Sequence, residues 1–325
     1  MKLSIIIPVY GVEKYIKDCV SSCIENIGTK SDDVEVIVVD DGCKDESIKI
    51  AHDIVKATPY FKFVTQHNQG LSMARNNGLK AAKGDYVWFV DSDDILPAGA
   101  VNIILNIIAR NKDFDILEFG YTCVEEDIKR EYLSPVINNG ITLKYTDGKS
   151  KLFRGFNTAV PFHIFRRNFM ISNNLLMYPG IYHEDNEFTP RAYWFAETVL
   201  DYPVVAYYYR QRMRSIITTP SLKKVLDNIF VANRLQDFFD KKVSEKKMIR
   251  KVNSYISMFF CNGLNSTMGL DENSKDVVNK KVVENKKILI ALKKSGSIKY
   301  IILGTAASIF PNHTVSIYNF LLKFK

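Results

Sequence analysis

The chain has 325 residues, of which 46% are hydrophobic and 25% charged. This composition excludes a disordered or fibrous chain and leaves room for one large domain or two moderate ones. The formal net charge is +8 but uneven: residues 241–325 carry 16 Lys and Arg against 5 Asp and Glu, or +11, and residues 1–240 carry 28 against 31, or −3. A basic tail can meet anionic lipid, nucleic acid or only water. The five cysteines, Cys19, Cys23, Cys43, Cys123 and Cys261, are irregularly spaced and form no C-x-x-C pair, which argues against a disulfide framework or zinc site and fits reduced cytosol.

Residues 3–10 are a short β-branched run, too short and too early for a signal peptide, and predict the first strand. Residues 12–27 have helical spacing, with Val12, Tyr15, Ile16, Cys19, Val20, Cys23, Ile24 and Ile27 on one face. A second buried-type strand covers 34–39 and runs into Asp40-Asp41-Gly42. Asp45 or Ser47 opens a helix to about Thr58, and 61–65 is a third strand. A helix over 71–82 is closed by Gly84. A fourth strand over 85–90 ends in Asp91-Ser92-Asp93-Asp94. Pro97 precedes another helix to about Arg110, and 115–119 is a fifth strand. Asn138-Asn139-Gly140 and Asp147-Gly148 read as turns, 159–169 as a short apolar helix, and 182–196 as a helix opened by Tyr182-His183-Glu184-Asp185. Residues 204–209 form a strand, followed by Arg210-Gln211-Arg212; beyond Ser221 the periodicity is helical throughout. The apolar stretch 298–310 is interrupted by Pro311 and is shorter than the ~18–20 residues of a membrane-spanning helix. It reads equally as an interfacial helix pair or as packing against the chain's own core.

Strands alternating with helices imply right-handed crossovers and an α/β fold with a mostly parallel sheet. In such sheets ligands bind beyond the carboxyl ends of the strands. Tyr10-Gly11, Asp40-Asp41-Gly42 and Asp91-Ser92-Asp93 all lie there, so three polar turns should converge on one crevice. Several acids at the mouth of a sheet repel one another unless something neutralises them. Hard divalent cations accept carboxylate and diphosphate oxygens together. The competing reading is a helix N-terminus rich in acids. Asp41 can accept hydrogen bonds from a base or ribose, or serve only the turn at Gly42. Tyr10 can stack on a nucleobase or pack the strand end. Arg75 can pair with Asp40, Asp91 or a phosphate. Glu184 and Asp185 suit either a general base or a helix cap. Arg210 and Arg212 can clamp a diphosphate.

Together, Ser4-Ile5-Ile6-Ile7-Pro8-Val9-Tyr10, Val39-Asp40-Asp41-Gly42, Gly70 to Asn76, Gly84-Asp85-Tyr86, Phe89 to Asp94, His183-Glu184-Asp185 and Tyr208 to Arg212, with Ser215-Ile216 behind, resemble the family 2 glycosyltransferases over residues 1–217. The resemblance implies a GT-A fold over 1–220, with a helical basic region, 221–325, that contacts a membrane. It implies inverting transfer from a nucleotide-diphosphate sugar, UDP-linked by family habit, to a glycan or lipid-linked acceptor in bacterial surface polysaccharide or glycolipid synthesis. The setting it implies is cytoplasmic, peripheral to the inner membrane. Pro8, Tyr10, Glu13, Asp41, Arg75, Asp91, Ser92, Arg210 and Arg212 would bind the donor, Asp93 would ligate Mg or Mn, and Asp185, beside Glu184, would be the base. Gly11 stands where the family usually has Asn, and Cys43 where it usually has Ser. A nucleotidyltransferase would show a glycine-rich basic loop after the first strand, and a dehydrogenase G-x-G-x-x-G; neither is present. A degenerate nucleotide-binding scaffold would have lost Asp93 or Asp185, and both remain. No nucleic-acid-binding module is recognisable.

Overall fold

The computed structural model describes residues 1–28, 31–111, 113–130, 133–136, 142–212 and 220–323. The Asn138-Asn139-Gly140 turn and Ser215-Ile216 lie outside the described residues. The chain divides into two compact units: Met1–Lys151, Gly155–Gly180 and Phe188–Met213 form the first, and Leu152–Arg154, Ile181–Glu187 and Arg214–Lys325 the second.

The first unit is built on a sheet of β1 (Leu3–Val9), β2 (Val34–Asp40), β3 (Phe61–Thr65), β4 (Tyr86–Phe89), β5 (Ile116–Val124), β6 (Lys144–Thr146), β7 (His163–Arg166) and β8 (Val199–Arg210). The spatial order is β3-β2-β1-β4-β7-β5-β8-β6. Pairings β1–β2, β1–β4, β2–β3 and β5–β8 are parallel; β7 runs antiparallel to both β4 and β5, and β6 antiparallel to β8. The sheet is therefore mixed, an α/β Rossmann-like arrangement whose β3-β2-β1-β4 half is wholly parallel. All seven residues of β1 are buried, as expected of a strand covered on both faces.

Helices α1 (Ile16–Ile27), α2 (Ser47–Val55) and α3 (Leu71–Ala81) are the crossovers of the parallel half, and α4 (Ala100–Arg110) leads from β4 to β5. In α1, Cys19 and Cys23 are both buried free thiols, four residues apart on the inward face. Gly78 lets α3 lie close on the sheet, because a Cβ there would stand 2.3 Å from Ile6 Cγ2. Asp147 is the N-cap of α5 (Gly148–Arg154), accepting from Ser150 N–H at 2.9 Å. Two further helices are α6 (Arg167–Ser172) and α7 (Glu184–Phe195).

The apolar helix expected over 159–169 is corrected. Val160–Phe162 is a single 3-10 turn, His163–Arg166 is β7, and α6 begins at Arg167. The strand is inserted between β4 and β5 with His163, Ile164 and Phe165 buried. Its neighbour Trp88 donates from Nε1 to Pro161 O at 2.9 Å and meets Phe119 edge-on.

The second unit contains α8 (Leu222–Asp240), α9 (Lys246–Asn265), α10 (Glu272–Glu284), α11 (Lys287–Lys294), α12 (Ile298–Ile309) and α13 (Thr314–Leu322). Its core joins Val225, Ile229, Ala232 and Leu235 of α8 with Ile256, Phe260 and Leu264 of α9. Among the described residues no helix is long and apolar enough to cross a membrane.

Candidate active site

Because β2, β1 and β4 are adjacent and parallel, their carboxyl ends share one edge of the sheet. Tyr10, Asp41 and the Asp91–Asp94 turn therefore emerge side by side. Tyr10 follows the buried Pro8-Val9 and is half exposed, which leaves its ring able to stack. Gly11 turns the chain at φ +66°, a left-handed value natural to glycine. Glu13 serves the start of α2: its carboxylate accepts from Glu46 N–H at 3.1 Å, while its own N–H donates to Asp45 at 3.1 Å.

Asp41 is buried, and three donors converge on its carboxylate. Gln66 Nε2 (2.7 Å) and Gln69 N–H (2.8 Å) meet Oδ1, and Gly70 N–H (2.9 Å) meets Oδ2. Asp41 thus shapes the 66–70 loop that leads into α3. Asp40 accepts from Cys43 N–H at 2.9 Å and closes the turn at Gly42. Burial first, then the charge of Asp40, push the Cys43 thiol up to about 12, so it stays protonated, 3.3 Å from Val9 O.

The three acids after β4 have three different partners. Arg75, wholly buried on α3, meets Asp91 Oδ1 through Nη2 at 2.6 Å. Of the three partners open to it in sequence, it takes Asp91. Asp94 is buried and accepts from Tyr207 O–H at 2.7 Å and Arg210 N–H at 2.8 Å. The Tyr207 oxygen in turn accepts from Asp91 N–H at 3.0 Å. Asp93 meets Arg212 Nη2 at 2.7 Å. Ser92 lies buried between them. Burial and then the charge of Asp91 push the Asp93 carboxyl up, against Arg212. Burial, Asp93 and Asp91 push Asp94 well above the ordinary carboxylate range.

Arg210 is a structural clasp here. Its Nε donates to Asp93 O at 3.0 Å, Nη1 to Glu126 O, and Nη2 pairs with Asp18 at 2.9 Å. Arg210 and Arg212 each lie 5.4 Å from the centre of the Tyr15 ring, and Tyr15 O–H donates to Glu126. The end of β8 is pinned to the acid turn by reciprocal backbone bonds between Ile95 and Tyr208. Tyr15, Tyr207, Asp18 and Glu126 were not singled out by sequence: aromatic residues in an apolar stripe or strand read as core.

Among the described residues no three His, Cys, Asp or Glu side chains gather into a protein-only metal cage. Mg and Mn commonly take one or two carboxylates and complete their shell with water and substrate phosphates. Asp91 and Asp93 stand two residues apart in this turn, and the charge of Asp91 adds to burial in raising Asp93.

Glu184 and Asp185 belong to the second unit, at the start of α7. His183 precedes them at φ +61° and accepts from Asn186 N–H at 3.0 Å. Glu184 is buried and Asp185 partly exposed. Glu187, one turn on, pairs with Arg234 of α8 at 3.1 Å, and Tyr182 N–H donates to Asp227 at 2.8 Å. Burial, then the charge of Lys224, lower the His183 pKa, which favours the neutral imidazole.

A family model described as glycosyl transferase family 2 matches residues 4–171, more than half of the chain. The chain belongs to glycosyl transferase family 2. It is 32% identical over 223 residues to the uncharacterized glycosyltransferase EpsJ of Bacillus subtilis, a match covering 67% of this chain and 63% of EpsJ. It thus spans just over three-fifths of the length of EpsJ. Among solved structures, S. aureus TarS 1-349 in complex with UDP-GlcNAc superposes with a TM-score of 0.72 at 19% identity, covering 100% of this chain and 93% of that one. The mannosyltransferase PcManGT from Pyrobaculum calidifontis, in complex with GDP-Man and Mn2+, gives 0.57 at 14%, covering 99% and 85%. Both likenesses concern the fold, the GT-A arrangement of sheet and helices.

Proposed function

We propose that this family 2 chain is a metal-dependent, inverting glycosyltransferase that moves a sugar from a nucleotide-diphosphate donor, a UDP-sugar, to an acceptor hydroxyl. The observation that carries the reading is the acid turn after β4: Asp91 and Asp93 held at the carboxyl edge of the parallel half of the sheet, each against an arginine. Asp93 would ligate Mg or Mn, with Asp91 beside it. The bound metal would supply charge stabilisation for the departing diphosphate. Pro8, Tyr10 and Asp41 serve the base, and Glu13 and Ser92 support the turns around the donor. Arg75 fixes Asp91, Arg212 supplies positive charge for the diphosphate, and Arg210 holds the turn in shape.

Asp185, with Glu184 beside it, is the proton acceptor. As the acceptor oxygen bonds to the anomeric carbon, the bond from that carbon to the diphosphate oxygen breaks. Its electron pair leaves with the nucleotide, and the acceptor proton passes to Asp185. One displacement inverts the anomeric centre, with no sugar bound to the enzyme. We assign catalysis to a domain over 1–220. The acceptor is a glycan or lipid-linked intermediate of surface polysaccharide or glycolipid synthesis, met in the cytoplasm with region 221–325 at the inner membrane face.

Calorimetry of UDP with and without Mn tests the donor site. Metal should strengthen UDP binding by roughly tenfold or more, and Asp93→Ala should abolish that gain. Asp185→Asn should bind UDP normally and fail to transfer. A panel of UDP-, GDP- and dTDP-sugars, scored by released nucleotide, identifies the donor. An Asp93→Ala protein that kept metal-enhanced UDP binding would overturn the reading.

A further inference from the structure

Helix α12 is apolar on two opposite sides. Its inward side, Leu303, Gly304 and Ala307, is buried against α11, so closely that a Cβ on Gly304 would stand 2.6 Å from Leu292 Cβ. On the other side Ile298, Ile302 and Ile309 are 77%, 48% and 64% exposed. At 3.6 residues per turn these three fall within about 40° of one another, so they make one stripe. Phe310, at its end, and Phe320 of α13 are also exposed. With the exposed Thr305 between Ile302 and Ile309, this is a mainly aliphatic stripe, and such a stripe on the surface marks an interaction site where scattered single residues do not.

The charges around the stripe select its partner. From residue 285 to the last residue the sequence carries seven lysines and no Asp or Glu. Lys293 and Lys294 close α11 and Lys299 opens α12, all exposed. A protein partner with both charge signs would not call for so one-sided a rim; an anionic lipid surface would. With twelve residues, about 18 Å, α12 is too short to cross a bilayer and of a length to lie in one.

We propose that α12 docks in the plane of an anionic bilayer, with Ile298, Ile302 and Ile309 seated at the acyl boundary and Lys293, Lys294 and Lys299 among the headgroups. This deepens the lipid-linked-acceptor reading above and rests on it for its purpose.

The test is flotation of the full chain with vesicles of phosphatidylcholine alone or mixed with phosphatidylglycerol. The protein should float with the anionic vesicles, stay behind with the neutral ones, and detach as salt is raised. Ile302→Glu with Ile309→Glu should lower the bound fraction roughly tenfold or more, with circular dichroism unchanged. Replacing Lys293, Lys294 and Lys299 by Gln should remove the preference for anionic lipid. In Ile302→Trp, anionic vesicles should blue-shift the added fluorescence. Unchanged flotation of the double Glu variant overturns the proposal. So does a concentration-dependent dimer that the double Glu variant dissolves while vesicles leave it untouched. Flotation that survives in Asp93→Ala separates docking from sugar transfer: metal-enhanced UDP binding retained there sinks the donor site alone.

Discussion

Replacing Arg75 by Met removes the guanidinium that holds Asp91 while filling much of the space its stem occupies. Arg75 is 1% exposed and the Asp91 side chain 25%, with 2.6 Å between them. Breaking a fully buried pair costs roughly 3–5 kcal/mol, because the remaining charge is left without compensation. The partial exposure of Asp91 reduces this to about 2–3 kcal/mol. At about 2–4 °C per kcal/mol for a domain of this size, the first unit's transition should fall by roughly 5–10 °C. Arg75→Met with Asp91→Asn removes the stranded charge as well, so the double variant should recover at least half of the loss. A double-mutant cycle should then give a coupling of about 1 kcal/mol or more. Arg75→Lys should fall between, since an ammonium keeps the charge without the fork. Urea unfolding followed by tryptophan fluorescence reads this unit alone, because Trp88 and Trp194 both lie in it. An Arg75→Met protein within ~0.5 kcal/mol of the parent, or no relief from Asp91→Asn, would refute the argument.

Three further outcomes follow from the same geometry. The raised Asp93 pKa means that its favourable contribution to folding is present at low pH and lost as pH rises through the folded value; metal needs the ionised form, so metal-dependent UDP binding should weaken on acidification and expel protons. Calorimetry at about pH 5 in two buffers of different ionisation heat checks this, and identical heats would contradict it. Burial alone would raise Glu118, but the hydrogen bond and charge of His163, with Lys151 and Tyr193, hold it at about 2 against an ordinary 4.5. Its contribution of about 3 kcal/mol is present above the unfolded value and lost as pH falls from about 4.5 towards 2, and Glu118→Gln should flatten that acid limb in unfolding curves. In Gly148→Ala the new Cβ would lie 1.8 Å from Tyr193 O, so the variant should lose about 3 kcal/mol or more, seen as a lower melting temperature.

The parallel half of the sheet was legible because its strands are short apolar runs, β-branched in β1 and β2, each followed by a helix. The span 61–65 is β3 without change, and α3 ends one residue before the expected Ala82. The antiparallel insertion was not legible. β7 is buried on both faces, so it lacks the alternation that marks a half-exposed strand, and its apolar residues merge with those of α6. β8 begins at Val199, five residues before the expected start, because Asp201 and Pro203 interrupt its apolar pattern. β5 continues past Gly120 through a register shift that spacing does not reveal. At the site, Asp91 and Arg75 could each be named, but their pairing depends on how α3 lies over β1, where Gly78 permits close approach. Tyr207 and Tyr15 act through a hydroxyl and a ring face, and neither role leaves a trace in residue spacing.

Asp91, Asp93 and Asp94 differ in how firmly their partners hold them. Asp94 is tied to Tyr207 and to the backbone of Arg210, so its carboxylate joins β8 to the turn. Asp91 is tied to a buried arginine, so a metal there would have to displace a guanidinium that has no exposure to solvent. Asp93 is paired to Arg212, whose side chain is 29% exposed and can turn to solvent or to an anionic ligand without being stranded. The order of partner burial is therefore the order of resistance to substitution by a metal. If Asp93 is the ligand, Arg212 must release it when metal and diphosphate arrive, and the diphosphate offers the guanidinium a bidentate replacement. Arg212→Gln should then strengthen the binding of Mn alone, since its competitor is gone, and weaken metal-dependent UDP binding, since the diphosphate loses its arginine. Calorimetry of Mn alone and of Mn with UDP separates the two effects. A loss of both affinities together would mean that Arg212 shapes Asp93 rather than competing for it.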